Sequence, residues 1–477
     1  MMKQELGINL QFQKSTFPWK LMTPAYAVAY LLMTLLGKTY FWDDWYLYQT
    51  LSRREFRQYL ADYGFPGLHG WVTLTLFQAD PEIIRLFIFA AFFATGWCLF
   101  HILLTLDFLT PFQRSSITIL FLVLPINSSR VALSVYIYTM SLFAFYLGWY
   151  LLVTKKSKLI QCFAIGSFIL SFSTLSMLSF FVLPWLHRTY QLMATKTTKG
   201  YSFSSLAASL GLLVLPLTYW LIRWRSFGPT GERLEYQSPT LSGSVRGFIL
   251  LIVCIAPIAL QVRRKYRLKH VEGKTLLISI GIAVTAIGAF PYIASGRLVN
   301  ASEWMLNFVP QASDWNSRHQ LLLGLGFSVF ITGVIYKIED ASQTRFLAGI
   351  VGFCIILNLT YMQGYYLDSL KQKQIMSALS NSAGLVDAHI IMINDKTEVF
   401  NARGREYRPY EWDGMLNSAI GGSVKTGVGS SYIDCNLPDE KIPDTFLTIS
   451  ASSGKLKATV TGDLGIVLSI ARIRPCK

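Results

Sequence analysis

From Lys38 to Tyr48 the chain reads Lys-Thr-Tyr-Phe-Trp-Asp-Asp-Trp-Tyr-Leu-Tyr, which sets two carboxylates, Asp43 and Asp44, side by side among aromatic residues. A carboxylate in such a place takes a proton from an attacking hydroxyl, or helps to hold a divalent cation. The simpler reading is that the pair caps the following helix, because an acidic side chain satisfies free N–H groups at a helix N-terminus. A second polar cluster lies far along the chain, Asp314-Trp315-Asn316-Ser317-Arg318-His319-Gln320, preceded by Arg297, Glu303 and Trp304. Guanidinium groups supply planar, paired donors, so Arg318 and Arg297, with His319 beside them, suit a phosphate or diphosphate group that gains charge as it leaves. A helix-opening polar cluster with an aromatic belt gives the same composition. Glu303 with Asp44 is the pairing that a divalent metal, Mg or Mn, would use if the chemistry needs one.

Other polar residues read more plainly. His69 sits in the turn Gly64-Phe65-Pro66-Gly67-Leu68-His69-Gly70-Trp71; with Trp45 and Trp315 it is a candidate substrate contact, and its plainer reading is a loop histidine. The histidines show no metal-ligand spacing. Arg85, at the mouth of the second apolar block, is expected to snorkel toward the headgroups. The stretch Arg403-Gly404-Arg405-Glu406-Tyr407-Arg408-Pro409-Tyr410-Glu411-Trp412 is dense in Arg and aromatics. That composition suits contact with sugar rings, and an exposed edge of a β-domain gives it as well.

The elements that must position these groups follow from composition. Of the 477 residues 52% are hydrophobic and only 15% charged, with a mean hydropathy of +0.40. Soluble domains carry about a quarter charged residues, so this chain lacks the polar surface for a globule in water. Its apolar residues fall in blocks at about 21–37, 82–106, 116–127, 131–153, 159–175, 177–186, 204–221, 247–261, 275–295, 321–336 and 345–361. These predict about eleven transmembrane helices. The blocks around Pro125 and Leu175 are short for a straight span and predict kinked, tilted or re-entrant pieces.

The formal charge of +16 reflects 43 Lys and Arg against 27 Asp and Glu, and the basic residues gather in short loops such as Lys155-Lys156-Ser157-Lys158, 187–199 and 263–269. By the positive-inside rule these loops face the cytoplasm, and the charge implies no nucleic-acid partner. The N-terminus is then cytoplasmic, and the first outer loop carries the acidic pair together with an interfacial amphipathic helix over 47–63. After about residue 366 the long apolar blocks cease, so residues 1–366 read as the membrane domain and 367–477 as a small extracytoplasmic α+β domain. Its expected strands include 389–393, 457–461 and 465–470. Cys435 and Cys476 fall in it and are free to pair or not. Cys98, Cys162, Cys254 and Cys354 lie in apolar blocks as small packing residues.

This order of parts resembles the GT-C superfamily of integral-membrane glycosyltransferases. A retained first helix is followed by the pair Asp43-Asp44, an interfacial helix, a Pro66-Gly67 turn with a short apolar run, and Arg85 opening the second span. The likeness covers roughly residues 20–200 as architecture. The chain has neither a Trp-Trp-Asp signature nor a Pro-Pro pair in the turn, so the branch stays open. The resemblance implies an inverting transfer of a sugar from a polyprenyl-phosphate donor to a glycan, lipid or protein acceptor at the outer face of the cytoplasmic membrane. It implies Asp43 or Asp44 as base or acceptor-orienting group. The loop holding Arg318, His319 and Arg297 is then the place for the donor phosphate. The alternatives are a lipid-linked-sugar flippase or other transporter, which would want ionisable residues at mid-depth in several spans, and a surface-polysaccharide polymerase or ligase.

Overall fold

A segment that leaves water has to satisfy its own backbone N–H and C=O groups, so the apolar blocks form helices. The computed structural model of the chain describes residues 16–47, 53–62, 80–155, 157–194, 203–226, 239–268, 273–296, 320–338, 340–380, 390–402, 405–420, 426–429, 445–452 and 455–461. It is mostly helical. Helix α1 (Trp19–Thr34) is followed by a single short turn, α2 (Asp43–Trp45), and by α3 (Arg53–Asp62). In α3, Phe56 is buried while Arg54, Glu55, Arg57 and Gln58 are exposed, as an amphipathic surface helix requires.

Local sequence sets the next boundaries. Helix α4 (Pro81–Leu104) starts at Pro81 behind Asp80, whose side chain accepts the Glu82 N–H. Helix α5 (Pro111–Val123) opens on a reciprocal capping box between Thr110 and Gln113. It stops before Pro125, and two 3-10 turns, Ser128–Val131 and Leu133–Val135, carry the chain to α6 (Tyr136–Thr154). After α7 (Lys158–Ser171) the chain breaks again, and α8 (Ser176–Phe180) and α9 (Val182–Ala194) replace a straight span. Both regions expected to be irregular are therefore interrupted helices. The basic loop expected from residue 187 instead begins as helix. There the Trp149 indole N–H donates to His187 Nδ1 at 3.2 Å, which leaves the proton on Nε2 to donate to Thr105 Oγ1 at 2.8 Å.

Helices α10 (Phe203–Ser226), α11 (Leu241–Leu268), α12 (Gly273–Ala294), α13 (Leu323–Ile335) and α14 (Asp340–Ser380) complete the helical part. Where α12 meets α13, a Cβ on Gly281 would collide with the Phe330 backbone and one on Gly326 with Thr285. Small residues at such a crossing let two backbones approach closely, the usual packing of helices in lipid. Among the described residues five helices are long and apolar enough to cross a membrane: Pro81–Leu104, Leu133–Thr154, Leu241–Ile258, Thr275–Ala294 and Ser342–Ser380. On α11, Val245, Phe248, Ile249, Ile252 and Val253 face outward, as helices bathed in acyl chains do.

Helix α14 runs without a break past residue 366, and the sheet begins ten residues after its end. Strands β1 (Ile390–Asp395), β2 (Thr426–Gly429), β3 (Thr445–Ser452) and β4 (Lys455–Thr461) form one sheet in the order β2-β1-β3-β4. β1 is parallel to both β2 and β3, and β3 to β4 is antiparallel. Helix α15 (Pro409–Ile420) connects β1 toward β2. The core beneath them gathers Ile375 and Leu379 of α14, Ile393, Tyr407, Trp412, Met415, Leu416 and Ile449, and also Trp45 from the first loop. The expected strand 465–470 and Cys435 and Cys476 lie outside the described residues.

Candidate functional site

The loop that carries the acidic pair is built by two buried charged groups. Gly37, with φ of 65°, turns the chain out of α1, a conformation open to glycine without a Cβ clash. Its carbonyl accepts Arg85 Nη1 at 2.5 Å, the Thr39 carbonyl accepts Nη2, and the Val131 carbonyl accepts Nε at 3.2 Å. Arg85 is 0% exposed. It does not snorkel, as its position at a helix mouth led one to expect, because three carbonyls from two segments, the first loop and the 3-10 turn at Val131, need the forked donor set of one guanidinium. Asp44 ties the same segments from the acidic side. Its Oδ2 accepts the N–H groups of Leu133 at 2.8 Å and Phe41 at 3.2 Å, and its Oδ1 accepts that of Ser134 at 2.7 Å. The connector between α5 and α6 is held further by Arg130, whose guanidinium lies 3.7 Å over the Phe92 ring and 4.6 Å over that of Tyr30.

These contacts divide the pair. Asp44 is 0% exposed, and burial pushes its carboxyl up to about 6 against the pull of the three N–H donors and Arg85. It has neither the access of a base nor the open oxygens of a metal ligand, and its place is that of an anchor. Asp43, the residue before it, is half-buried. Its Oδ1 accepts the Tyr410 hydroxyl at 3.0 Å. Neither aspartate caps α2 from the N-cap position, which Trp42 occupies without a side-chain bond.

Trp42 has φ of 51° and ψ of −127°, a conformation that bulky residues rarely adopt. The part of the chain after α14 holds it there. Glu411 Oε1 accepts the Trp42 N–H at 3.1 Å, and the Arg405 guanidinium lies 5.2 Å over the Trp42 ring. Arg405 reaches both Glu411 oxygens at 2.7 and 2.8 Å and Asp368 at 3.2 Å, and the Tyr407 hydroxyl donates to Asp368. Burial works against the Arg405 charge, but Glu411 and Asp368 outweigh it and raise its affinity for the proton. Burial, then Asp43 and Glu411, raise the Tyr410 phenol as well, so it remains a donor.

Three expectations change here. Trp45 is 1% exposed, set against Gly414 and 5.1 Å from Tyr40, so it offers no face to a substrate. The aromatic and Arg-rich stretch around 403–412 is not an outer sugar platform: Trp412 is 2% exposed and Arg405 and Tyr407 are buried, all turned toward α14 and the first loop. As a metal ligand Asp44 does not fit, since its oxygens are engaged in the interior; among the described residues no group of three or more His, Cys, Asp or Glu could hold a metal ion. Arg318, His319, Arg297, Trp315, Glu303 and His69 lie outside the described residues.

The sheet has its own place for a ligand in principle, the crevice beyond the C-terminal end of β1, where the neighbouring parallel strands lie on opposite sides. The polar groups there bond to one another. Lys371 pairs there with Asp395 and reaches the Thr397 carbonyl at 3.0 Å and Asn401, while Asp395 accepts the Thr397 N–H at 2.8 Å. The groups that hold the acidic loop and that the sequence did not assign are Tyr410, which donates to Asp43, Glu411 and Arg405, which hold Trp42, and Asp368, which binds Arg405. For the first three the signal was the density of charge and aromatics at 403–412; Asp368 carried none. Comparison of the chain with protein-family models, with curated proteins and with solved structures gives no match.

Proposed function

We propose that this membrane-embedded helical protein is an inverting glycosyltransferase that moves a sugar from a polyprenyl-phosphate donor to an acceptor hydroxyl on a glycan, lipid or protein. In this reading the chain crosses the cytoplasmic membrane eleven times, with its N-terminus inside and the acidic loop and the sheet outside. Asp43 takes the proton of the acceptor hydroxyl. The acceptor oxygen bonds to the anomeric carbon as the bond from that carbon to the phosphate oxygen breaks, and the polyprenyl phosphate departs with the electron pair. Arg318, His319 and Arg297 are the groups proposed to meet the charge that develops on it.

The observation that carries the reading is the division of labour in the acidic pair. One carboxylate is spent on three backbone N–H groups in the interior, and the other stands half-buried beside it, on a backbone held in a costly conformation. Strain of this kind collects where a group has to be aimed. A metal-assisted form of the reaction finds no support in Asp44, so the proton transfer is written on Asp43 alone.

The test is purified protein in vesicles loaded with a radiolabelled polyprenyl-phosphate sugar and offered acceptors on the outside. Label that moves to acceptor, with free polyprenyl phosphate left behind, supports the proposal. Label that crosses the bilayer still attached to lipid would support a carrier instead.

A further inference from the structure

A general base works only if its oxygen is presented at a fixed angle to the hydroxyl it deprotonates, and an error of about 1 Å costs on the order of a hundredfold in rate. An aspartate in a loop has two free torsions and no such discipline of its own. Asp43 is disciplined from both ends by residues that follow α14. On the side-chain end, the Tyr410 hydroxyl donates to Oδ1 at 3.0 Å across 367 residues of sequence. On the backbone end, Glu411, the very next residue of α15, accepts the Trp42 N–H at 3.1 Å and thereby holds the strained residue that precedes Asp43.

The helix that supplies both contacts is itself fixed. Glu411 is locked by Arg405 and also accepts the Arg408 N–H at 3.0 Å, closing the first turn of α15 around it. Gly414, one turn further on, lies so close to Trp45 that a Cβ there would stand 2.6 Å from the indole. Residues 42, 43 and 45 of the first loop thus each meet α15 through a different contact.

We propose that Tyr410 is a positioning residue of the reaction, orienting the Asp43 carboxylate through its hydroxyl, and that the segment after α14 is a part of the active site and not an appended module. The inference rests on the reading of Asp43 as the base. A hydrogen bond to an ionised carboxylate favours its charged form, so the effect of removing the donor is read in the pH profile as well as in the rate.

The experiment compares wild type, Tyr410→Phe and Asp43→Asn as full-length protein in vesicles with a polyprenyl-phosphate sugar. Phenylalanine keeps the ring and removes only the donor. The expected result is a fall in kcat of roughly 10- to 100-fold, the worth of one hydrogen bond to a charged group. KM for the donor stays within about twofold of wild type, and the acid limb of the kcat profile moves to higher pH. A Tyr410→Phe protein with wild-type kcat and an unmoved acid limb, beside an inactive Asp43→Asn protein, overturns the inference and leaves the base in place. A fully active Asp43→Asn protein overturns the reading beneath it. If Tyr410→Phe does not fold, 3-fluorotyrosine at position 410 provides a more acidic phenol and a stronger donor. The acid limb then moves to lower pH, and a limb that stays put counts against the inference.

Discussion

Asp44 accepts the Leu133 N–H at 2.8 Å, a bond between the first loop and the connector between α5 and α6 that spans 89 residues of sequence. Its carboxyl is raised from an ordinary 3.8 to about 6 by burial, despite the N–H donors around it. An acid whose folded value lies above its unfolded value binds its proton first in the folded state. Its contribution to stability is therefore full below about pH 4 and is lost as the pH rises through about 6, a change of about 3 kcal/mol at most. Thermal melts in detergent of wild type and Asp44→Asn across pH 4 to 7 check this. The wild type should lose stability relative to the variant as the pH rises through that window. A difference that grows in favour of wild type would mean that the three N–H donors outweigh burial.

Arg85 holds three carbonyls with the two edges of one planar group. Lysine keeps the charge but has neither the fork nor the reach, so Arg85→Lys should destabilise the protein by roughly 3 kcal/mol through carbonyls left unpaired in the interior. The readout is the unfolding midpoint of purified protein. Wild-type stability in Arg85→Lys would show that the clamp contributes little.

Gly414 gives the docking of α15 on the first loop a direct test. An added methyl meets the Trp45 ring at 2.6 Å, too close for any real contact, and overpacking of this kind costs about 1–3 kcal/mol. Gly414→Ala should lower the melting temperature and also the rate of transfer, since Trp45 and Asp43 share one helical turn. Gly166, whose Cβ position meets nothing within 4 Å, is the control, and Gly166→Ala should leave both unchanged.

The parts of this arrangement that could be read in advance are those that repeat or cluster along the chain. The helical blocks follow from runs of apolar residues, the breaks at Pro125 and Leu175 from blocks too short to cross, and β1 and β4 from short alternating or apolar runs between turn residues. The pair Asp43-Asp44 drew notice by adjacency, but the difference between its members depends on Leu133, Ser134 and Tyr410, whose approach leaves no periodic mark. Arg85 looked like any arginine at a helix mouth, because the carbonyls it serves belong to Gly37, Thr39 and Val131. The residues 403–412 carried a visible signal and a misleading one. Arg beside Tyr and Trp suits a sugar platform and a buried charge network equally well, and only the carboxylates of Asp368 and Glu411 decide between them.

In the proposed reaction Asp43, and not its neighbour, takes the proton from the acceptor. This is tested most directly by single-turnover transfer from a saturating polyprenyl-phosphate sugar with Asp43→Asn, after circular dichroism and melting confirm that the variant folds as wild type does. If Asp43 is the base, the rate falls by about 100-fold or more, the range for removal of a general base, with donor binding intact. Transfer at the wild-type rate by that folded variant would contradict that assignment.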